Sequence, residues 1–291
     1  MKYGIFYAYW EKQWGGEYLP YIERVARLGF DILEVSCASL AELSGAQIDR
    51  LNAAREQHGV TLTGGYGPKP NENIASEDPA VVSNTLSFWK KTFPVLQALG
   101  IHSVGGGLYS YWPVDYSRPV HKAADWERSV AGVKKLAEMA DDYGITLGME
   151  VLNRHEGYLL NTVDEGVEFV QAVARPNVKV MLDTYHMNQE EDSFEEAIFT
   201  AGKHLGHFHI GECNRRVPGE NSRIPWRSIG AALRKIGYEG PVVMEPFVLT
   251  GGQVGADIRV WRDLSGNASL EKLDADARES LVFVKECFEG S

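Results

Sequence analysis

Five times along this chain a glycine separates a helix-period segment from an apolar, β-rich run: Leu28-Gly29-Phe30, His58-Gly59-Val60, Leu99-Gly100-Ile101, Tyr143-Gly144-Ile145 and Ile236-Gly237-Tyr238. Glycine just past a helix end takes the left-handed conformation without a Cβ penalty, so each junction reads as a helix stop feeding a strand. A junction that recurs this often means repeated αβ units. Strands are expected to start near Lys2, Asp31, Val60, Ile101, Ile145, Val178, Leu205 and Pro241. Helices are expected over 18–28, 46–58, 79–99, 126–143, 163–174, 194–203, 226–236 and 270–288. Within 126–143, Val130, Val133, Leu136, Ala137 and Ala140 recur at helical spacing, as one core-facing stripe requires.

Eight alternating units in 291 residues close most simply into a single-domain (β/α)8 barrel, an α/β TIM barrel spanning 1–291. The rival is an open doubly wound sheet, which wants a glycine-rich nucleotide turn. Neither Gly65-Tyr66-Gly67 nor Gly105-Gly106-Gly107 completes a G-x-G-x-x-G, and no P-loop, G-x-S-x-G or H-E-x-x-H is present. Three longer connections, about 67–78, 108–125 and 247–265, are the natural site-building loops.

Composition narrows the partners. The formal charge of −11 repels phosphate backbones and anionic lipid, and the basic residues are scattered. Nucleic acid and membrane are therefore not expected partners. The first apolar stretch, Gly4 to Trp10, is broken by Glu11 and Lys12, too short for a signal segment, and no later run reaches membrane-span length. Cys37, Cys213 and Cys287 are odd in number and far apart, which argues against a disulfide framework or a cysteine zinc site. A reducing cytoplasm is the expectation.

Four of the predicted strands end in a residue that binds divalent metals: Glu150, Asp183, His209 and Glu245. Tips of barrel strands look into the mouth where active sites lie. Intervals of 33, 26 and 36 residues each fit one βα unit, and strand parity lets all four point inward if the tips are in register. Any one of these acids could instead cap the following helix or sit solvated in a loop; four on consecutive strands favour one shared ion. Three carboxylates and an imidazole suit Mn²⁺, Co²⁺ or Mg²⁺ better than a thiolate-seeking cation. Glu156, His186 and Arg215 follow these tips by three to six residues, within reach of anything bound there, although ordinary loop polarity or a Glu156–Arg154 pair would read the same. His207, one inward step below His209, reads as an interior histidine, and Cys213 as a bystander. Phe6, Trp14 and Trp112 read equally as core or as faces that stack on a sugar ring and exclude water.

Longer stretches carry a resemblance. Glu150-Val-Leu-Asn-Arg-His-Glu156, Met181-Leu-Asp-Thr-Tyr-His-Met-Asn188, His207-Phe-His-Ile-Gly-Glu-Cys-Asn-Arg215, Val243-Met-Glu-Pro-Phe247 and Val260-Trp-Arg-Asp263 resemble the ketose 3-epimerases of the D-tagatose and D-psicose (D-allulose) type, within the xylose-isomerase-like barrels. The likeness covers essentially the whole chain. It implies a TIM barrel holding Mn²⁺ or Co²⁺ through Glu150, Asp183, His209 and Glu245, with the two glutamates doubling as acid and base. It also implies Glu156, His186 and Arg215 at the O1–O3 end of a free ketose, Phe247 near the substrate, and assembly as a homodimer or homotetramer. Three departures stand out: His155 replaces a usual aromatic, 218–226 carries one extra residue, and Phe6 and Ile210 stand where many psicose-type members carry Tyr and Thr. The last leans toward a tagatose-type or altered pocket, whose walls are expected near Phe6, Tyr66, Gly107 and Ile210.

The implied chemistry is coherent. A proton on C3 of a ketose is acidic because C2 is a carbonyl, and inversion needs removal on one face and delivery on the other, hence two bases. Rival readings are another isomerase or an inosose dehydratase of the same barrel class, a metal phosphodiesterase resembling endonuclease IV, which the acidic charge opposes, and a non-catalytic sugar binder, which has little need of paired bases.

Overall fold

Short β-branched and aliphatic runs, five of them entered from a glycine-stopped helix, leave the chain little choice but a parallel sheet buried on both faces. In the computed structural model, which describes residues 1–290, eight strands form a closed parallel barrel in chain order, with the last pairing to the first. They are β1 Lys2–Phe6, β2 Ile32–Ser36, β3 Thr61–Gly65, β4 Ser103–Gly106, β5 Thr146–Glu150, β6 Val178–Asp183, β7 Leu205–Ile210 and β8 Pro241–Met244. The helices are α1 Leu19–Leu28, α2 Gly45–His58, α3 Pro79–Ala98, α4 Lys122–Asp141, α5 Val163–Val173, α6 Thr184–Glu190, α7 Phe194–Ala201, α8 Trp226–Lys235, α9 Gly252–Asp257 and α10 Leu270–Glu289. All expected strands and the eight expected helices are present, their ends displaced by no more than four residues. The five junction glycines have φ between 67° and 92°, the left-handed stop that the sequence pattern requires. Among the described residues no helix is long and apolar enough to cross a membrane.

Two short helices, α6 and α9, were not anticipated. Asp183 starts α6: its Oδ1 accepts from the Tyr185 N–H at 2.7 Å, so the strand tip is also a helix N-cap. Seven residues carry too little periodicity to be read from sequence. Helix α9 lies inside the expected 247–265 loop and packs back on the β1–α1 connection, where the Val254 N–H donates to the Lys12 carbonyl at 3.1 Å.

Outward-facing strand residues, Leu147, Met149, Leu182, Phe208 and Val242 among them, are fully buried against the helices. Inward residues fill the barrel in layers. Met181 and His207 take up the central layer, and Gly105 and Gly148 face them with bare backbone. A Cβ at either glycine would press on Met181 and come within 3.8 Å of the His207 side chain. Between β6 and β7 the register jumps: Val180 pairs with Leu205 but Met181 with His207, so Gly206 is the extra residue of a bulge. That insertion brings His209 level with Asp183.

Gly105→Val therefore overpacks the central layer. The expected cost is about 1–3 kcal/mol, read as a thermal midpoint several degrees lower; an unchanged midpoint would mean that this layer has room to spare.

Candidate active site

The C-terminal ends of the strands open into a cavity of about 720 Å³, within the range of small-molecule sites. Glu150, Glu156, His186, His209, Arg215 and Glu245 line it, as do Phe6, Trp14, Trp112 and Phe247. Asp183 lies just beneath, with Oδ2 3.7 Å from Arg215 Nη1 and 3.9 Å from His209 Nδ1. All eleven candidate residues are thus brought together.

The four metal-binding types converge as expected: one ligand atom each from Glu150, Asp183, His209 and Glu245 lies within 4.8 Å of every other. Only the middle two tips are in register: Asp183 pairs with His209, whereas Glu150 pairs with Met181 and His209 with Val243, so Glu150 and Glu245 are each offset by two residues. Closing a barrel forces strands to tilt and stagger, which accounts for the two offsets.

The charge balance of this cluster is unfavourable without a cation. Burial, then repulsion from Glu245, pushes the Glu150 carboxyl well above its ordinary range, only partly offset by His209. One Asp183 oxygen caps α6, while its other oxygen, buried, has no hydrogen-bond partner, and neither has Nδ1 of His209. Unpartnered buried polar atoms facing one locus fit a divalent ion, and oxygen-rich ligands with one imidazole fit a hard or borderline one.

Sequence reasoning missed a carboxylate below this cluster. Glu34, in the middle of β2 and 1% exposed, puts Oε1 2.6 Å from His209 Nε2, and its Oε2 accepts from Thr63 Oγ1 at 2.9 Å. His207 Nε2 lies 3.1 Å from the same Oε2, off line for a hydrogen bond, and its Nδ1 lies 3.2 Å from Ser103 Oγ. Burial alone would raise the Glu34 carboxyl, but the field of His209 and His207 outweighs it and holds the group below the usual carboxylate range. The available signal was a single acid interrupting the apolar run Ile32-Leu33-Glu34-Val35.

His186 rides on α6 and is fully buried. Its Nδ1 accepts from the Asn153 backbone N–H at 3.2 Å and lies 2.8 Å from Asn153 Nδ2. That fixes the hydrogen on Nε2, which faces Glu150 Oε1 at 3.6 Å. Burial drives the His186 pKa down, so the ring is neutral. Asn153, itself buried, is a second residue that sequence reasoning passed over.

Arg215 stands at φ 64°, stacked 3.6 Å from the Tyr185 ring centroid. Nη1 reaches Glu245 Oε2 at 3.0 Å and Nη2 reaches Glu156 Oε1 at 3.2 Å. Glu156 therefore pairs with Arg215, while Arg154 pairs with Glu190 at 2.7 Å, which disposes of the Glu156–Arg154 alternative. Burial raises the Glu156 carboxyl, but Arg215 beside it more than reverses this, leaving an anion. The loop with the extra residue is tied down by Glu212, which accepts from the Gly219 N–H, Ser222 Oγ and Trp226 Nε1.

Phe6, Trp14 and Phe247 form one aromatic wall with centroids 6.0–6.4 Å apart, and Trp112 meets Trp14 edge-on at 6.3 Å. Trp14 is held by Asp257 of α9 through a 2.7 Å bond from Nε1. Tyr66 and Gly107 also line the cavity, as expected, but Ile210 does not. Strand parity turns it away from His209 into the fully buried layer beneath the helices, so it has no vote on the pocket. His155 is exposed, outside the cavity.

Fold and site together define an enzyme of the sugar-isomerase barrel class, and residues 22–264 match the family described as xylose isomerase-like TIM barrel. D-psicose 3-epimerase of Agrobacterium fabrum is 54% identical over 97% of this chain and 98% of its own. Crystal structures of D-psicose 3-epimerase in the presence of D-fructose, and of the Clostridium cellulolyticum D-psicose 3-epimerase with D-tagatose, superpose with TM-scores of 0.97 at 53% and 52% identity, each over 99% of both chains. The chain belongs to the D-psicose 3-epimerase family of these barrels, an isomerase of the epimerase type.

The Asn153–His186 contact makes a spectroscopic prediction. The His186 ring should show an unprotonated Nδ1 in ¹⁵N NMR and stay neutral as the pH falls through the ordinary histidine range, because its pKa is lowered. Asn153→Ala removes the Nδ2 contact and keeps the backbone N–H, so Nδ1 should stay unprotonated with its ¹⁵N shift moved toward that of a less strongly bonded acceptor; a protonated Nδ1 in the unaltered chain would contradict the assignment.

Proposed function

We propose that this chain is a metal-dependent ketose 3-epimerase acting on free ketohexoses, the D-fructose/D-psicose and D-tagatose/D-sorbose pairs, or on ketopentoses. The observation that carries the reading is the approach of two glutamates to one locus from separated strands. Glu150 ends β5, and Glu245 follows β8, with β6 and β7 between them. Glu150, Asp183, His209 and Glu245 would hold Mn²⁺ or Co²⁺, with Mg²⁺ a weaker fit to the imidazole. A divalent cation there supplies Lewis acidity that stabilises negative charge developing on the oxygens beside the reacting carbon.

The remaining work falls to side chains. One glutamate takes the C3 proton, giving an enediolate, and the other returns a proton to the opposite face, so C3 inverts. Glu156, His186 and Arg215 grip the O1–O3 end: Arg215 and neutral His186 donate, and anionic Glu156 accepts from a hydroxyl. Phe6, Trp14, Trp112 and Phe247 shield the far end from water. Relatives named D-psicose 3-epimerase, two of them crystallised with D-fructose or D-tagatose, support this choice of substrates.

Glu150→Gln and Glu245→Gln should each lower turnover by roughly 10²–10⁴-fold with circular dichroism unchanged. Near-normal turnover in either would break the two-base assignment. A panel of D-fructose, D-psicose, D-tagatose, D-sorbose and L-ribulose, run with EDTA and then with Mn²⁺ or Co²⁺ restored, should show activity lost and recovered; activity indifferent to chelation would refute metal dependence.

Ion affinity should also fall as pH is lowered. In the ion-free protein Glu150 and His209 both hold their protons above their ordinary ranges and must release them to bind metal. Calorimetry in buffers of differing ionisation enthalpy should register proton release; binding without it contradicts the cluster.

A further inference from the structure

We infer that Glu34 is the positioning residue of this ion cradle: by holding Nε2 of His209 it fixes the imidazole tautomer and ring plane, so that Nδ1 is the atom offered to the metal. The inference rests on the metal reading above and adds a residue that touches neither ion nor sugar.

The geometry is specific. Glu34 enters the barrel from β2, paired in register with Thr63 of β3 and Phe6 of β1. Thr63 Oγ1 donates to Oε2 at 2.9 Å and pins the carboxylate, leaving Oε1 against His209 Nε2 at 2.6 Å. A carboxylate only accepts, so Nε2 must carry the hydrogen and the lone pair of the neutral ring falls on Nδ1. That nitrogen is buried, unpartnered, and 3.7 Å from Glu245 Oε1 and 3.9 Å from Asp183 Oδ2. Barrel-interior positions are ordinarily filled by branched aliphatic side chains, and a charge 1% exposed is costly there unless something uses it. Ligating histidines gain basicity and a fixed orientation from such a partner.

A second ion shared by Glu34, His207 and His209, whose ligand atoms also lie within 4.8 Å, is the competing reading. It is disfavoured because His209 Nε2 cannot donate to Glu34 and coordinate a metal at once.

The test is Mn²⁺ binding to the ion-stripped full-length chain, with free Mn²⁺ read by its electron paramagnetic resonance signal. The unaltered protein should bind one ion per chain, and Glu34→Gln should raise Kd about 10- to 100-fold while the circular dichroism spectrum is kept. Ser103→Ala, which disturbs only the His207 side, should leave Kd unchanged. Equal Kd for Glu34→Gln and the unaltered chain, or an equal loss in Ser103→Ala, overturns the positioning role and leaves the epimerase reading standing. Two ions per chain also overturns it, in favour of the second site. No ion bound by the unaltered chain removes the metal reading and this inference together. Should Glu34→Gln not fold, Thr63→Val keeps the carboxylate and removes its anchor: Kd should rise by a smaller factor, and an unchanged Kd counts against the inference.

Discussion

Everything in this barrel answers to the crowding of buried carboxylates around one point. Glu150, Asp183 and Glu245 meet within 4.8 Å, with Glu156 and Glu34 close by and Arg215 the one guanidinium among them. Like charges at that spacing in a dry cavity push protons back onto the acids, as the raised Glu150 shows. A divalent cation would turn the same crowding into affinity and keep both glutamates ionised, as the proposed proton exchange requires.

Backbone geometry delivers this arrangement. Asp183 and His209 are registered partners on β6 and β7, and strand stagger brings Glu150 of β5 and Glu245, just past β8, to the same locus although each is offset from its neighbour. The Gly206 bulge sets His209 beside Asp183, and bare backbone at Gly105 and Gly148 admits Met181 and His207 as the floor. Above the floor, orientation is enforced by fixed partners: Asn153 on His186, Glu34 on His209, Tyr185 under Arg215. Preorganisation of this kind means that little reorganisation remains when substrate enters.

The fold and the converging strand tips were legible because both are local patterns: a glycine stop at five helix ends, and an acid or histidine where an apolar run stops. What escaped was contact across the barrel. Glu34 and His209 are 175 residues apart, and nothing in a single sequence couples them. Asn153 carried no signal of its own until α6 brought His186 onto it, and α6 itself was too short to register as a period. Ile210 was misjudged for the opposite reason: its neighbour His209 faces the cavity, but alternation along a strand turns the next side chain outward. The family likeness supplied the roles of Glu156, His186 and Arg215, which spacing alone had left as polar loop residues.

The central claim is that two glutamates exchange the proton on C3 of a ketose across opposite faces. Incubating D-fructose with the Mn²⁺-loaded protein in D₂O and locating deuterium by NMR in the recovered sugars tests it directly. Label is expected at C3 of the epimerised product; label at C1 in place of C3, or epimerised sugar free of deuterium, would rule the exchange out.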